Sequence, residues 1–356
     1  MSAAPEQAGQ PGRLRGLSLV ELMVAMTLGL LLMSGLVLVY LESRRQSLLE
    51  AEGARLQQSG RYALSLLQHE LVMAGFFGRL AAPALTSALA PGLASVPGAP
   101  GCGALAGWAL LPEPALDFIL DIAGTGRRTV HGHELGCLPA GGAAIVGATD
   151  VLVVKRSAAQ ATLQNGVFAP GLASAEASQW YLRSAGGTAD WRYLARGDSV
   201  PAEDRRPGSG VSYWEAYASI FFVRPWSQPG DGVPALCVER LSANSMGPAE
   251  CLVEGVEDLQ FSVGIDRDGD GYVERFTNHP GAADLPKARL VRVALLMRSL
   301  GPVPGSRRGP GATSGSAGAA GAASSGGLDG DGYLRRWFSS TVPLRNLNPP
   351  APVRRL

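Results

Sequence analysis

Hydrophobic and polar positions are distributed unevenly along the chain. Residues 1–16 are polar and contain Gly and Pro, with Arg13 and Arg15 just ahead of Gly16, whereas from Leu22 to Leu41 no charged residue occurs in 20 positions. As an α-helix rising about 1.5 Å per residue, that run spans about 30 Å, the thickness of a bilayer core. The leader side carries Arg13 and Arg15 against Glu6, while the far flank balances Glu42, Glu50 and Glu52 with Arg44, Arg45 and Arg55. Because basic flanks stay inside, the leader is expected in the cytoplasm. Past the apolar run the pattern turns amphipathic: Leu49, Leu56, Ala63, Leu67, Leu71 and Ala74 fall on one stripe of a helix that continues to about Gly75. Gly53 and Gly60 interrupt it, each weakening the helix by up to about 1 kcal/mol relative to Ala, and are read as places where it bends. Apolar, β-branched runs at 149–155, 219–224, 259–264 and 289–297 read as strands able to cover the stripe. Between Gly301 and Gly327 the sequence is almost wholly Gly, Ala, Ser and Pro, with Arg307 and Arg308 its only charges. It is expected to be a flexible loop, having too little apolar surface to offset the entropy of ordering.

Composition narrows the function classes. With 31 basic and 30 acidic side chains the formal net charge is +1, so no bulk field draws the protein to nucleic acid, and no motif for direct nucleic-acid binding is evident. The 47 Gly and 25 Pro favour a loop-rich, strand-rich body over a helical bundle. Cys102, Cys137, Cys237 and Cys251 allow three pairings, and the sequence alone does not choose among them. None lies in a zinc-like cluster, export would place them in an oxidising compartment, and sequential pairing is favoured. Closing the short loop from Cys237 to Cys251 would be worth roughly 3 kcal/mol.

The amino terminus carries the sharpest signal. The only plausible processing point lies before the apolar run, at Gly16, so cleavage would leave the hydrophobic helix on the mature protein, unlike an ordinary secretory signal. Glu21 is the odd residue in the string, since an ionised carboxylate at the edge of hydrocarbon costs on the order of 2 to 3 kcal/mol unless paired. The string ArgGlyLeuSerLeuValGluLeu resembles the type IV prepilin signature, in which Gly precedes the cut and Glu stands at the fifth mature position. The resemblance implies that a prepilin peptidase cuts between Gly16 and Leu17, that the new amino group of Leu17 is methylated, and that Glu21 pairs with the amino terminus of a neighbouring subunit. Opposite charges in a low-dielectric assembly attract far more strongly than in water, so such a pair would set axial register. Leu17 departs from the usual Phe. Residues 252–266 and 335–346 resemble, in particular, the strand before an acidic loop and the closing strand of PilW-like minor pilins.

Candidate chemistry elsewhere is sparse. Asp266, Asp268 and Asp270 alternate, with Gly271, Tyr272 and Glu274 following. That spacing is the front half of an EF-hand-type calcium loop, with Tyr272 offering its main-chain carbonyl and Glu274 standing in for the bidentate Glu that Thr277 replaces. An Asp/Gly-rich surface turn is the competing reading. Asp329 and Asp331 echo the motif with fewer ligands and read as a turn, and His131, His133 and Glu134 read as a polar loop lacking a third metal ligand. No catalytic fingerprint occurs in a fitting context, so no enzyme and no organic cofactor are expected.

The reading is an α+β, pilin-like protein: a leader at 1–16, an N-terminal helix at 17–75 with its transmembrane part at 22–41, and a β-rich periplasmic head at 76–356 on an antiparallel sheet. It implies a single-pass inner-membrane minor pilin of a priming or tip complex, partnered by other minor and major pilins and by prepilin peptidase, and serving motility, adhesion or DNA uptake. The rivals are a type II secretion pseudopilin, a signal-anchored periplasmic enzyme, and a tip adhesin whose region 76–250 binds a surface ligand.

Overall fold

A computed structural model describes residues 18–78, 100–103, 107–123, 126–139, 144–302, 327–328 and 331–347. The leader, Gly16, Leu17, Asp329 and nearly all of the Gly/Ala/Ser segment lie outside these residues. One helix, α1 (Leu19–Met73), runs for 55 residues. The chain divides into an amino-terminal stretch, Met1–Ala51, and a compact unit, Glu52–Leu356. In the former, apolar side chains face outward all round the helix, Leu32 being 70% and Tyr40 59% exposed. By length and composition α1 is, among the described residues, the one helix able to cross a membrane.

Within the compact unit the amphipathic stripe is covered: Leu56, Ala63, Leu64, Leu67, Leu71 and Ala74 are buried. The helix runs unbroken through Gly53 and Gly60. A Cβ on Gly60 would stand 2.7 Å from the Phe338 ring, so this glycine admits a close neighbour. At the far end Gly75, with φ of 75°, turns the chain left-handed and donates its N–H to the Lys155 carbonyl at 3.0 Å, closing the helix as a glycine cap does.

Two antiparallel sheets receive the helix. The larger contains β1 (Leu116–Ile119), β2 (Val151–Ser157), β3 (Gln179–Ala185), β4 (Thr188–Leu194), β5 (Val211–Arg224), β6 (Ala235–Ser242) and β7 (Glu250–Glu254), with two-residue strands at Leu163–Gln164, Val167–Phe168 and Ser245–Met246. Its spine is the 14-residue β5, whose first half pairs with β3 and second half with β2 and β6. The smaller sheet runs in the order β9 (Arg275–Thr277), β8 (Val256–Ile265), β10 (Ala288–Arg298), β11 (Leu334–Pro343), then Gly327–Leu328. In β10, Val291, Val293, Leu295 and Met297 are buried and the residues between them partly exposed, the period-two pattern of a sheet with one face on a core.

That core joins the α1 stripe to Phe118, Leu152, Phe221 and Val238 of the larger sheet and to Phe261, Val293 and Leu295 of the smaller one. The larger sheet is buried on both faces: Ile220 and Phe222, alternating with Phe221 and Val223, join a second core around Trp108, Leu110 and Trp180. Continuous burial explains why 220–223 reads as an unbroken apolar run rather than an alternating one. Polar links pin α1 in place: Arg156 grips Glu70 through two 2.8 Å bonds, and Asn346 donates to the Val72 carbonyl at 2.8 Å. The cysteines pair sequentially, Cys102 with Cys137 and Cys237 with Cys251, the second pair joining directly opposed residues of β6 and β7.

Candidate functional site

The start of α1 is built by two side chains that satisfy each other's backbone. Glu21 N–H donates to Ser18 Oγ at 3.2 Å, and Ser18 N–H donates to a Glu21 carboxylate oxygen at 3.3 Å. This reciprocal pair is a capping box, which satisfies two donors that a helix otherwise leaves orphaned. Ser18 was not singled out from the sequence, although Ser-x-x-Glu ahead of an apolar run is the signal that would have found it. Glu21 is thus exposed and anchored in the isolated chain at the lip of the apolar run, and its negative charge lies at the positive end of the helix dipole.

The acidic hairpin between β8 and β9 brings four predicted carboxylates together: ligand oxygens of Asp266, Asp268, Asp270 and Glu274 all lie within 4.8 Å of one another. Left-handed Gly269 and Gly271 (φ of 81° and 96°) curl the loop so that their N–H groups donate to Asp266 at 2.6 and 3.0 Å. Asp266 is 2% exposed and also accepts Arg289 Nε at 2.8 Å. Burial alone would raise its pKa, but the Arg289 guanidinium and the two glycine N–H groups hold the carboxyl below its ordinary range. Glu274 accepts the Arg267 N–H at 2.8 Å and Asp270 the Tyr272 N–H, also at 2.8 Å. The Tyr272 ring stands 77% exposed and takes no part. Thr277 is a strand residue paired with Val263. The hard, anionic oxygen set can bind a metal ion, with Arg289 already neutralising part of Asp266. Asp331 instead meets Arg335 at 2.8 Å, as a residue of a turn.

A buried polar cluster lies under the loop at 129–134, where the sequence led us to expect an ordinary polar loop. Asp117 of β1 is 1% exposed, with His131 Nδ1 at 3.1 Å from one carboxylate oxygen and His133 Nδ1 at 3.7 Å from the other. Lys155 of β2, also 1% exposed, places its Nζ 4.5 Å from the centre of the Trp108 ring. Burial lowers the Lys155 pKa to about 7 and lowers that of His133, each partly opposed by Asp117. The signal in the sequence was a Lys standing directly after the apolar run Val151–Val154. Tyr213 and Trp214 are core residues, and Tyr213 donates its hydroxyl proton to Asp204 at 2.7 Å.

Two families match the chain, one at each end. Residues 220–346 match the family described as Type IV Pilus-assembly protein W, and residues 13–37 match the prokaryotic N-terminal methylation motif. The first covers β8 to β11 with the acidic hairpin, and the second covers the start of α1. No curated protein matches the chain. Among solved structures, a type IV-like pilin from Thermus thermophilus aligns over 82% of this chain and 97% of its own, at 13% identity and a TM-score of 0.33, a score too low to establish a common fold.

Proposed function

Starting from a chain that is PilW-like over 220–346 and carries the N-terminal methylation motif over 13–37, we propose that it is a minor pilin of a type IV pilus, acting in the priming or tip complex. In this reading prepilin peptidase cuts between Gly16 and Leu17 and Leu17 is N-methylated. Residues 22–41 hold the protein in the inner membrane with the head in the periplasm, until helix packing beside other pilins draws it into the fibre. The observation that supports this most is the start of α1: a lone carboxylate, Glu21, at the lip of a helix apolar all round. Such a surface suits lipid before assembly and other helices afterwards, and Glu21 would find a cationic partner in the amino terminus of a neighbour. The test is mass spectrometry of the amino terminus from native envelopes, with and without prepilin peptidase. We expect N-methyl-Leu17 in the first and an intact leader in the second. Unprocessed protein in both would sink the proposal.

The acidic hairpin would hold Ca2+ through Asp266, Asp268, Asp270 and Glu274, relieving the mutual repulsion of four carboxylates and fixing the turn between β8 and β9. Millimolar calcium is expected to raise the thermal midpoint of the wild type and to leave an Asp268→Asn, Asp270→Asn double variant unchanged. Equal midpoints with and without calcium in the wild type would refute it.

A further inference from the structure

At the far end of the larger sheet two tight hairpins frame an open groove of about 870 Å³. One turns at Asn165–Gly166, between Leu163–Gln164 and Val167–Phe168, with φ of 50° and 79°. The other turns at Gly186–Gly187 between β3 and β4, with φ of 56° and 86°. Paired left-handed residues are the stiff turn that the twist of a hairpin prefers. A Cβ on Gly166 would fall 1.8 Å from the Arg206 carbonyl oxygen, so that turn is locked against its neighbour. The groove is therefore preformed, and its volume lies within the range of small-molecule sites, about 300–1,000 Å³.

Its lining is chemically distinctive. Gln160, Gln164, Ser184 and Thr188 line it together with Val167. Among the described residues none of the lining side chains is charged, although 17% of the protein is. Without a countercharge, a phosphate, sulfate or carboxylate group would lose its hydration uncompensated. An uncharged ligand rich in hydroxyls fits instead. Amides both donate and accept, and the 53%-exposed Val167, directly opposite Gln164, offers an apolar contact for the C–H face of a sugar ring. Every lining residue falls between Gln160 and Ser212, outside both family-matched segments.

We propose that this groove binds a neutral oligosaccharide. The claim is independent of processing at Gly16 and of any role in a fibre. The test uses the full chain in lipid nanodiscs, avoiding glycoside detergents that would compete. The nanodiscs are applied to an array of neutral tetrasaccharides of glucose, galactose, mannose and N-acetylglucosamine beside sialylated and sulfated counterparts. At least one neutral glycan is expected to bind in preference to its charged counterparts. The double variant Gln160→Ala, Gln164→Ala is expected to weaken that binding by about tenfold or more, as is Val167→Glu, both with an unchanged thermal midpoint. Failure to bind any neutral glycan, preference for charged ones, or undiminished binding by both variants would each overturn it.

Discussion

Lys155 occupies a position where its charge opposes folding. Its stem lies by Trp108 on the face of β2 that also carries Val153, while no hydrogen-bond acceptor reaches its Nζ among the described residues. Desolvation pulls its pKa from an ordinary 10.5 down to about 7. Between those two values the unfolded chain binds more protons at this site than the folded one, so this group makes stability rise with pH from about 7 to about 10.5, and the cost of the buried ammonium is felt in full below 7. Lys155→Met keeps the stem and removes the charge, leaving His131 and His133 beside Asp117. The variant is expected to raise the thermal midpoint at pH 6 and to give a visibly smaller gain at pH 10, read by thermal unfolding of the full chain. A gain that does not change with pH would show that packing, not charge, governs the site. The sequence placed Lys155 on a strand but named no partner, because Asp117 lies 38 positions earlier and only strand pairing makes them neighbours.

At the scale of the element, two glycines that look alike in the sequence of α1 have opposite meanings. Nothing stands within 4 Å of a Cβ built on Gly53, whereas one on Gly60 meets three atoms of the Phe338 ring at 2.7 to 2.8 Å. Gly53→Ala is therefore expected to stabilise the protein by up to about 1 kcal/mol through helix propensity alone. Gly60→Ala gains the same propensity, but forces Phe338 off its packed position against the helix, an overpacking cost of about 1–3 kcal/mol that should leave the variant less stable than wild type. Thermal midpoints of the two variants measured side by side decide the matter, and the account is wrong if both rise. Helical periodicity could not separate them, since both fit the same pattern of small residues. What differs is β11, some 280 residues later in the chain.

For the whole molecule, the proposed work is assembly, and the capping box supplies a control for it. Glu21→Ala removes both the intersubunit charge and half of the box, while Ser18→Ala breaks the box and leaves the charge. Losing a cap costs typically about 1 kcal/mol at one helix end, modest against a neighbour's amino terminus left unpaired between packed apolar helices. Glu21→Ala is expected to insert normally yet fail to enter pili, with Ser18→Ala incorporated nearly as well as wild type. Comparable loss of piliation in both variants, scored by immunoblot of sheared fibres, would assign Glu21 to helix capping and remove its assembly role.

The sequence by itself determined what depends on near neighbours: an apolar run long enough for a bilayer, one acidic residue at its edge, an amphipathic continuation, the strands that cover it and an acidic loop in which every second residue is Asp. Period, length and charge are local quantities, and local forces follow them. Only the tertiary structure decided which faces meet. It chose one of three cysteine pairings, set Phe338 against Gly60, buried Asp117 beside two histidines, and opened a neutral groove between two hairpins 21 residues apart. Those outcomes rest on strand register and on contacts between distant segments, and a side-chain alternation that says which face is buried does not say what buries it.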